Sequence, residues 1–199
     1  MKQLYTVVTL LLCLCSTVLR AQTPVMVKDI YPGSGNGIDP YSVNPIVGID
    51  GTAYFVGTDA EHGNELWKSD GTELGTQLVK DIYPGSNASN PSSLINVKGV
   101  LYFNALDPQS GYCLFKSDGT VSGTVKVKSF NQNYVYNQPH NLTDVNGTLF
   151  FVVNNGYGGE ELWKSDGTDG GTVRVKNINP GGSSYLGSLV NANGTLYFI

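Results

Sequence analysis

Three aspartates, Asp70, Asp118 and Asp166, stand in identical Ser-Asp-Gly-Thr strings at equal intervals along the chain. A carboxylate in such a string could serve as a calcium ligand. A calcium ion takes about six to eight oxygens from several clustered groups, however, and each string offers one. The same carboxylate accepting backbone N–H bonds shapes a tight turn, and that structural role is the reading adopted. The densest acidic loop is Asp59-Ala60-Glu61-His62-Gly63-Asn64-Glu65. Its equivalents read Asp107-Pro108-Gln109-Ser110 and Asn155-Gly156-Tyr157-Gly158, so a metal at this loop is not expected. His62 and His140 are the only imidazoles, and neither has the spacing of zinc ligands.

An enzyme reading needs a constellation. Asp59, Glu61, Asp107 and Glu160 lie in or beside equivalent loops and could supply paired carboxylates for glycoside hydrolysis, but no spacing singles out a pair. A sialidase-like site clamps its substrate with several arginines, and Arg174 is the single arginine beyond Arg20. No serine or cysteine nucleophile has a base beside it in any recognisable pattern. No catalytic, metal or cofactor residue is therefore assigned, and no cofactor is expected. Trp67, Phe115 and Trp163 form one aromatic position that recurs at the same interval as the aspartates; rings of this kind can stack on sugars, but one per unit at a fixed strand position points to packing between units. Asn-x-Ser/Thr sequons begin at Asn87, Asn141, Asn146 and Asn193, and the last two are also Asn-Gly turns, which explain them better than glycosylation does.

The N-terminus bounds where such chemistry would take place. Lys2 precedes an apolar run from Leu4 to Leu14 and a more polar stretch ending at Arg20-Ala21-Gln22, which has the form of a secretory signal peptide over residues 1–21. A bilayer span takes roughly 20 apolar residues, so the run is too short for a permanent anchor and no membrane span is expected after cleavage. Cleavage would remove Lys2 and Arg20 but no acid, leaving ten Lys and Arg against sixteen Asp and Glu, a net charge of −6. Nucleic-acid binding needs clustered cations, and the remaining lysines are spread along the repeats, so that partner is excluded. Cys13 and Cys15 lie within the signal, which leaves Cys113 alone in an oxidising exterior with no internal disulfide to form.

The elements that must position these residues follow from the repeat. Leu-Trp-Lys-Ser-Asp-Gly-Thr starts at Leu66 and Leu162, with Leu-Phe-Lys-Ser-Asp-Gly-Thr at Leu114 midway. Glycines before an apolar run fall at Gly51, Gly99, Gly147 and Gly194, and Val-Lys pairs end each unit at Val27, Val79, Val127 and Val175. Between these markers the apolar runs are short, β-branched or aromatic, and bounded by Gly, Pro, Asn, Asp and Ser, which reads as strands without helices. Four strands fit each unit, in the second unit Ser93 to Val97, Val100 to Ala105, Tyr112 to Ser117 and Thr124 to Ser129. Side chains alternate along a strand, so Leu66 and Trp67 point to opposite faces and both faces carry bulk. A sheet buried on both sides needs a neighbour on each side, as in a β-propeller, whose blades are about 40 to 50 residues long. The expected fold is all-β, a propeller-like and incomplete array of four-stranded antiparallel blades of about 48 residues each, within that range. Its divisions are 1–21 signal, 22–42 leading strand and connection, 43–91, 92–139 and 140–187 for three blades, and 188–199 for the start of a fourth. The leading strand, Val25 to Ile30, matches the fourth strand of later units and would close a ring against the last blade.

The string Glu65-Leu66-Trp67-Lys68-Ser69-Asp70-Gly71-Thr72, with Gly75-Thr76 and then Val79-Lys80-Asp81-Ile82 and Pro84-Gly85, resembles the bacterial secreted repeat family named for its ELWxxDGT signature. It recurs at Glu161 to Thr168, whereas the middle copy has Cys113 and Phe115 in place of Glu and Trp. The resemblance implies an exported, propeller-like protein and carries no activity with it.

These readings converge on a secreted, extracellular or cell-surface module without catalysis, serving ligand binding, adhesion or scaffolding. The alternatives are part of a propeller enzyme acting on extracellular polysaccharide, or a purely structural repeat. The expected partner is an extracellular ligand, a glycan or a protein. Because strands run alternately up and down, the Asn-Gly and Ser-Asp-Gly-Thr turns share one end of each unit, and the loops that vary share the other. The variable end carries Asp59, Glu61, His62, Asp107, Tyr134, Tyr136, Tyr157 and Tyr185, which are the candidate ligand residues.

Overall fold

The computed structural model describes residues 25–38, 46–130, 138–154, 159–176, 178–179, 184 and 186–199. All regular structure among them is β. The first unit comprises β1 (Val47–Ile49), β2 (Thr52–Asp59), β3 (Gly63–Ser69) and β4 (Gln77–Lys80). The second comprises β5 (Ser92–Val97), β6 (Val100–Asp107), β7 (Gly111–Ser117) and β8 (Val125–Ser129). The third comprises β9 (His140–Val145), β10 (Thr148–Asn154), β11 (Glu160–Ser165) and β12 (Val173–Lys176), and β13 (Leu189–Ala192) with β14 (Thr195–Phe198) forms a hairpin after it. Each of the first three units is a four-stranded sheet in chain order, and every pairing is antiparallel.

Local chemistry explains the hairpins. Asp50-Gly51, Lys98-Gly99, Asn146-Gly147 and Asn193-Gly194 all have positive φ at both residues. That is the geometry a two-residue connection needs to follow the strand twist, and glycine at the second position adopts it freely. In each full unit the ladder between third and fourth strands slips at the same point, Leu66/Trp67, Leu114/Phe115 and Leu162/Trp163.

The apolar cores lie between sheets. Tyr54, Leu66 and Val79 on the front of the first sheet pack with Leu101, Phe103, Cys113 and Phe115 on the back of the second. The same exchange recurs one unit on, where Tyr102, Leu114 and Val127 meet Leu149, Phe151 and Val153, with Trp163 packed alongside. Val152 and Leu162 then meet Leu186, with Leu189 and Leu196 of the last hairpin beside them. Leu66, Leu101, Phe103 and Leu114 are completely buried, and each such side chain contributes roughly 1.5–3 kcal/mol. First strands of successive units lie beside one another, β1 by β5, β5 by β9 and β9 by β13.

Polar staples repeat across these interfaces. The Lys68 ammonium donates to the Gly119 carbonyl at 2.8 Å, and Lys116 donates to Gly167 at 2.9 Å. Tyr54 lies over Gly119 and Tyr102 over Gly167 so closely that a Cβ on either glycine would meet the phenol hydroxyl. A second staple joins the outer strand of one unit to the next, Lys80 to the Thr124 carbonyl at 2.8 Å.

The expected leading strand is a correction. Residues Val25–Ile30 form no strand, because no described strand lies beside them to complete a ladder. The segment nonetheless docks on the first unit as residues 80–90 dock on the second. Lys28 donates to the Thr76 carbonyl at 2.8 Å, and Thr58 N–H donates to the Gly37 carbonyl at 2.8 Å. These match Lys80 to Thr124, and Leu106 N–H to the Ser89 carbonyl at 2.7 Å.

Candidate functional site

The two ends of each unit are built differently. At the tight-turn end, each fixed residue of Ser-Asp-Gly-Thr-x-x-Gly-Thr has a turn-forming bond. Asp70 accepts from Thr72 N–H at 2.9 Å and from the Thr72 hydroxyl at 2.7 Å, and both distances recur at Asp118 with Thr120 and at Asp166 with Thr168. Ser69 and Thr76 share a 2.7 Å hydroxyl bond, as do Ser117 with Thr124 and Ser165 with Thr172. A Cβ at Gly75, Gly123 or Gly171 would collide with the aspartate carboxylate, which accounts for the second glycine. Hydrogen bonds from threonine hydroxyl and amide hold all three aspartates below the usual carboxylate range. The carboxylates are thus occupied in shaping the turns. Among the described residues, no group of three or more His, Cys, Asp or Glu side chains could hold a metal ion.

The opposite end is different in every unit. In the first, the β2–β3 turn brings Asp59, Glu61 and His62 together. Asp59 caps the turn by accepting from Glu61 N–H at 3.0 Å and His62 N–H at 2.6 Å. The His62 Nδ1 lies 2.8 Å from Asp59 Oδ2, and its Nε2 lies 4.0 Å from Glu61. The hydrogen bond to Asp59 raises the His62 pKa against the opposing effect of desolvation. Burial pushes the Asp59 carboxyl upward, but the bonds and charge of His62 outweigh it and the net shift is downward.

The second unit has a cation where the first has an imidazole. Asp107 ends β6 and lies 3.4 Å from the Lys126 ammonium, which also donates to the Ser110 hydroxyl. Burial works to raise the Asp107 pKa; the Ser110 bond and the Lys126 charge prevail and lower it. In the third unit His140 faces Glu160 at 3.5 Å. Asp107 therefore makes its polar contacts within its own unit and does not join the Asp59–His62 cluster. Tyr134, Tyr136, Tyr157 and Tyr185 lie outside the described residues.

Beneath these loops is a residue that motif reading left unassigned. Glu65 is fully buried. Its carboxylate accepts from the N–H groups of Ile82, Tyr83 and Ser89 and from the Ser89 hydroxyl, fixing the connection from β4 to β5. Burial raises the Glu65 pKa, with the four bonds opposing part of the rise. Glu161, its equivalent, is also buried and pairs with Arg174 at 3.7 Å. Cys113 occupies the same place in the second unit, where desolvation pushes its thiol up to about 12. There Asn104 takes over the anchoring, donating from Nδ2 to the Pro139 carbonyl while its Oδ1 accepts from Ser92. The recurrence of Glu65 and Glu161 within the repeat was the available signal; the donors they gather come from a loop that the recurrence does not identify.

Trp67 and Phe115 are buried, and Trp163 is packed in the core between the second and third units. Phe115 stacks on Phe103 at 5.6 Å, and Trp163 stacks on Phe151 at 6.5 Å with Phe130 edge-on at 5.2 Å. Phe115 and Trp163 belong to the inter-unit cores, and Trp67 is buried on the back of the first unit beside Gly57.

The arrangement is a scaffold with one uniform end and one end at which ion pairs and imidazoles change from unit to unit. No helix among the described residues is long and apolar enough to cross a membrane. Compared with protein-family models, curated proteins and solved structures, the chain matches none.

Proposed function

We propose that this chain is a secreted or cell-surface β-propeller module of the ELWxxDGT repeat type, which binds an extracellular glycan or protein through its variable loops and performs no catalysis. The observation that carries the reading is the contrast between the two ends of the units. Three tight turns share the same bonds at matching distances, while the opposite end offers Asp59 with His62, Asp107 with Lys126 and His140 with Glu160. Invariant turns serve the fold, whereas loops differing in charge on a fixed scaffold are where recognition concentrates. Front-to-back packing of successive sheets, with their first strands adjacent, supports the arrangement of blades about an axis.

Glycan and protein panels screened for binding, and separately for turnover, test this reading. Asp59→Ala with Glu61→Ala, or Tyr134→Ala with Tyr136→Ala, is expected to weaken binding about tenfold or more, the first pair also costing about 1 kcal/mol of stability through loss of the Asp59 turn cap. Leu74→Ser and Val121→Ser, exposed on the tight turns, serve as the opposite-face control. Binding that survives all loop changes and disappears with the turn changes would overturn the assignment of faces. Turnover of a glycan would overturn the non-catalytic reading.

A further inference from the structure

The loop between β2 and β3 touches a later segment of the chain, the connection from β4 to β5. Gly63, at the base of the loop, lies so close under that connection that a Cβ on it would strike the Asn87 carbonyl. One residue on, the Asn64 carbonyl accepts from Asn90 N–H at 3.1 Å. The connection passes the contact on to the second unit, where Leu106 N–H donates to the Ser89 carbonyl at 2.7 Å. Glu65 holds the same connection from within, through the N–H groups of Ile82, Tyr83 and Ser89.

His62 precedes Gly63 at this contact. Its Nδ1 lies 2.8 Å from Asp59 Oδ2 and its Nε2 lies 4.0 Å from Glu61 Oε1. Asp81, at the start of the connection, also acts on the ring. The charged groups that face the imidazole are thus carboxylates from both segments, Asp59 and Glu61 of its own loop and Asp81 of the connection, with no Lys or Arg among them. The Asp59 hydrogen bond and these charges raise the pKa of the ring above 6.5, against the opposing effect of desolvation. Protonated, the imidazolium is the positive member of this group and attracts acids on both segments. Neutral, it keeps its hydrogen bond to Asp59 but leaves Asp59, Glu61 and Asp81 to repel one another across the contact.

We infer that His62 is a pH-operated latch between the β2–β3 loop and the connection to the second unit, closed when the imidazole carries its second proton and slack when it does not. The turn itself survives deprotonation, because Asp59 caps the N–H groups of Glu61 and His62 in either state. What loosens is the seat of Gly63 and Asn64 on Asn87 and Asn90. Because the ring's pKa is raised by folding, the latch is fully closed below 6.5 and is released as pH climbs through the folded value. Both segments belong to the variable end, so on the reading proposed above their spacing around a ligand depends on pH; the latch operates with or without a ligand.

Amide hydrogen exchange measured by NMR, corrected for the intrinsic effect of pH, tests the latch at Asn90, whose N–H bond crosses the contact. Between about pH 5.5 and about pH 8.5 the protection of Asn90 should fall about two- to threefold, while that of Thr120, bonded to Asp118 at the opposite end, stays level. His62→Gln should hold Asn90 at its high-pH level throughout. His62→Lys, which keeps a positive charge at both pH values, should hold it at the low-pH level. Asp81→Asn still accepts from Gly85 N–H and should shrink the change without unseating the connection. Protection of Asn90 that does not vary with pH in the wild-type protein would overturn the inference. So would a pH dependence that persists in His62→Gln, which would place the effect with Glu65 instead, or an undiminished change in Asp81→Asn.

Discussion

Lys68 and Gly119 belong to different units, 51 positions apart, yet the ammonium of one meets the carbonyl of the other at 2.8 Å; Lys116 and Gly167 repeat the contact at 2.9 Å. The lysine sits within the repeated strand motif and its acceptor within the repeated turn motif. One pair of motifs thus supplies both halves of a joint.

Replacing Lys116 with Met should lower stability by about 1 kcal/mol, the usual net worth of such a bond, seen as a lower urea midpoint at unchanged slope. Lys164→Met alters an exposed side chain at the equivalent position and should stay within about 0.5 kcal/mol of wild type. Equal losses from the two substitutions would refute a role for the inter-unit bond.

Glu65→Ala should cost about 2–4 kcal/mol in urea unfolding, since it strands the buried amides of Ile82, Tyr83 and Ser89. Glu65→Gln keeps one accepting oxygen and replaces the other with a donor facing the Ile82 N–H, so it should cost less than Ala without being neutral. Burial raises the folded pKa of Glu65 above its ordinary 4.5, so the proton-linked part of its contribution is fully present below 4.5 and is lost as pH rises through the folded value, while the accepted hydrogen bonds remain. The Gln variant should show a correspondingly flatter loss of stability over that rise.

His62 and Asp59 should act as a weak pH-dependent clasp. The folded pKa of His62 is raised, so its contribution is present below 6.5 and lost as pH climbs through the folded value. That of Asp59 is lowered, so its contribution is present above 3.8 and lost as pH falls through the folded value. The clasp is therefore strongest between 3.8 and 6.5, at about 0.5 kcal/mol because the imidazole is partly in solvent. An NMR titration should place the His62 pKa above 6.5, and Asp59→Asn should bring it down. A midpoint unmoved by that substitution would remove Asp59 as the cause.

Cys113 should resist a thiol reagent such as Ellman's at pH 8 in the folded protein, because it is fully buried and its pKa is pushed up to about 12. Unfolding in urea should release one reactive thiol from the described part of the chain. Rapid modification of the native protein would contradict the burial.

Much of the fold was legible because its signals are local. Short β-branched runs, Asn-Gly pairs and the regular repeat set the strands of the second unit to within two positions of those observed. The roles of Asp70, Asp118 and Asp166 were legible for the same reason, since each carboxylate bonds a threonine two positions away. Two features depended on contacts remote in sequence and were not. Val25–Ile30 has strand composition but no described neighbour to pair with, so composition alone misled. The Glu65 carboxylate gathers donors from 17 to 24 positions ahead, a distance over which no periodicity operates. Of the candidate ligand residues, Asp59, Glu61 and His62 come together, while Asp107 turns to Lys126.

The front-to-back joint also bears on how such a chain can change over generations. Each inter-sheet core draws on two successive units, and the first two joints use the same donor lysine and the same acceptor turn. In an array coupled through nearest neighbours, stability is close to a sum over units and joints. Duplicating or deleting one whole repeat in register therefore recreates a joint of the same kind at the splice. The number of units is then free to drift by recombination, while substitutions at Lys68, Tyr54 or Gly119 are restrained by a partner that must change with them.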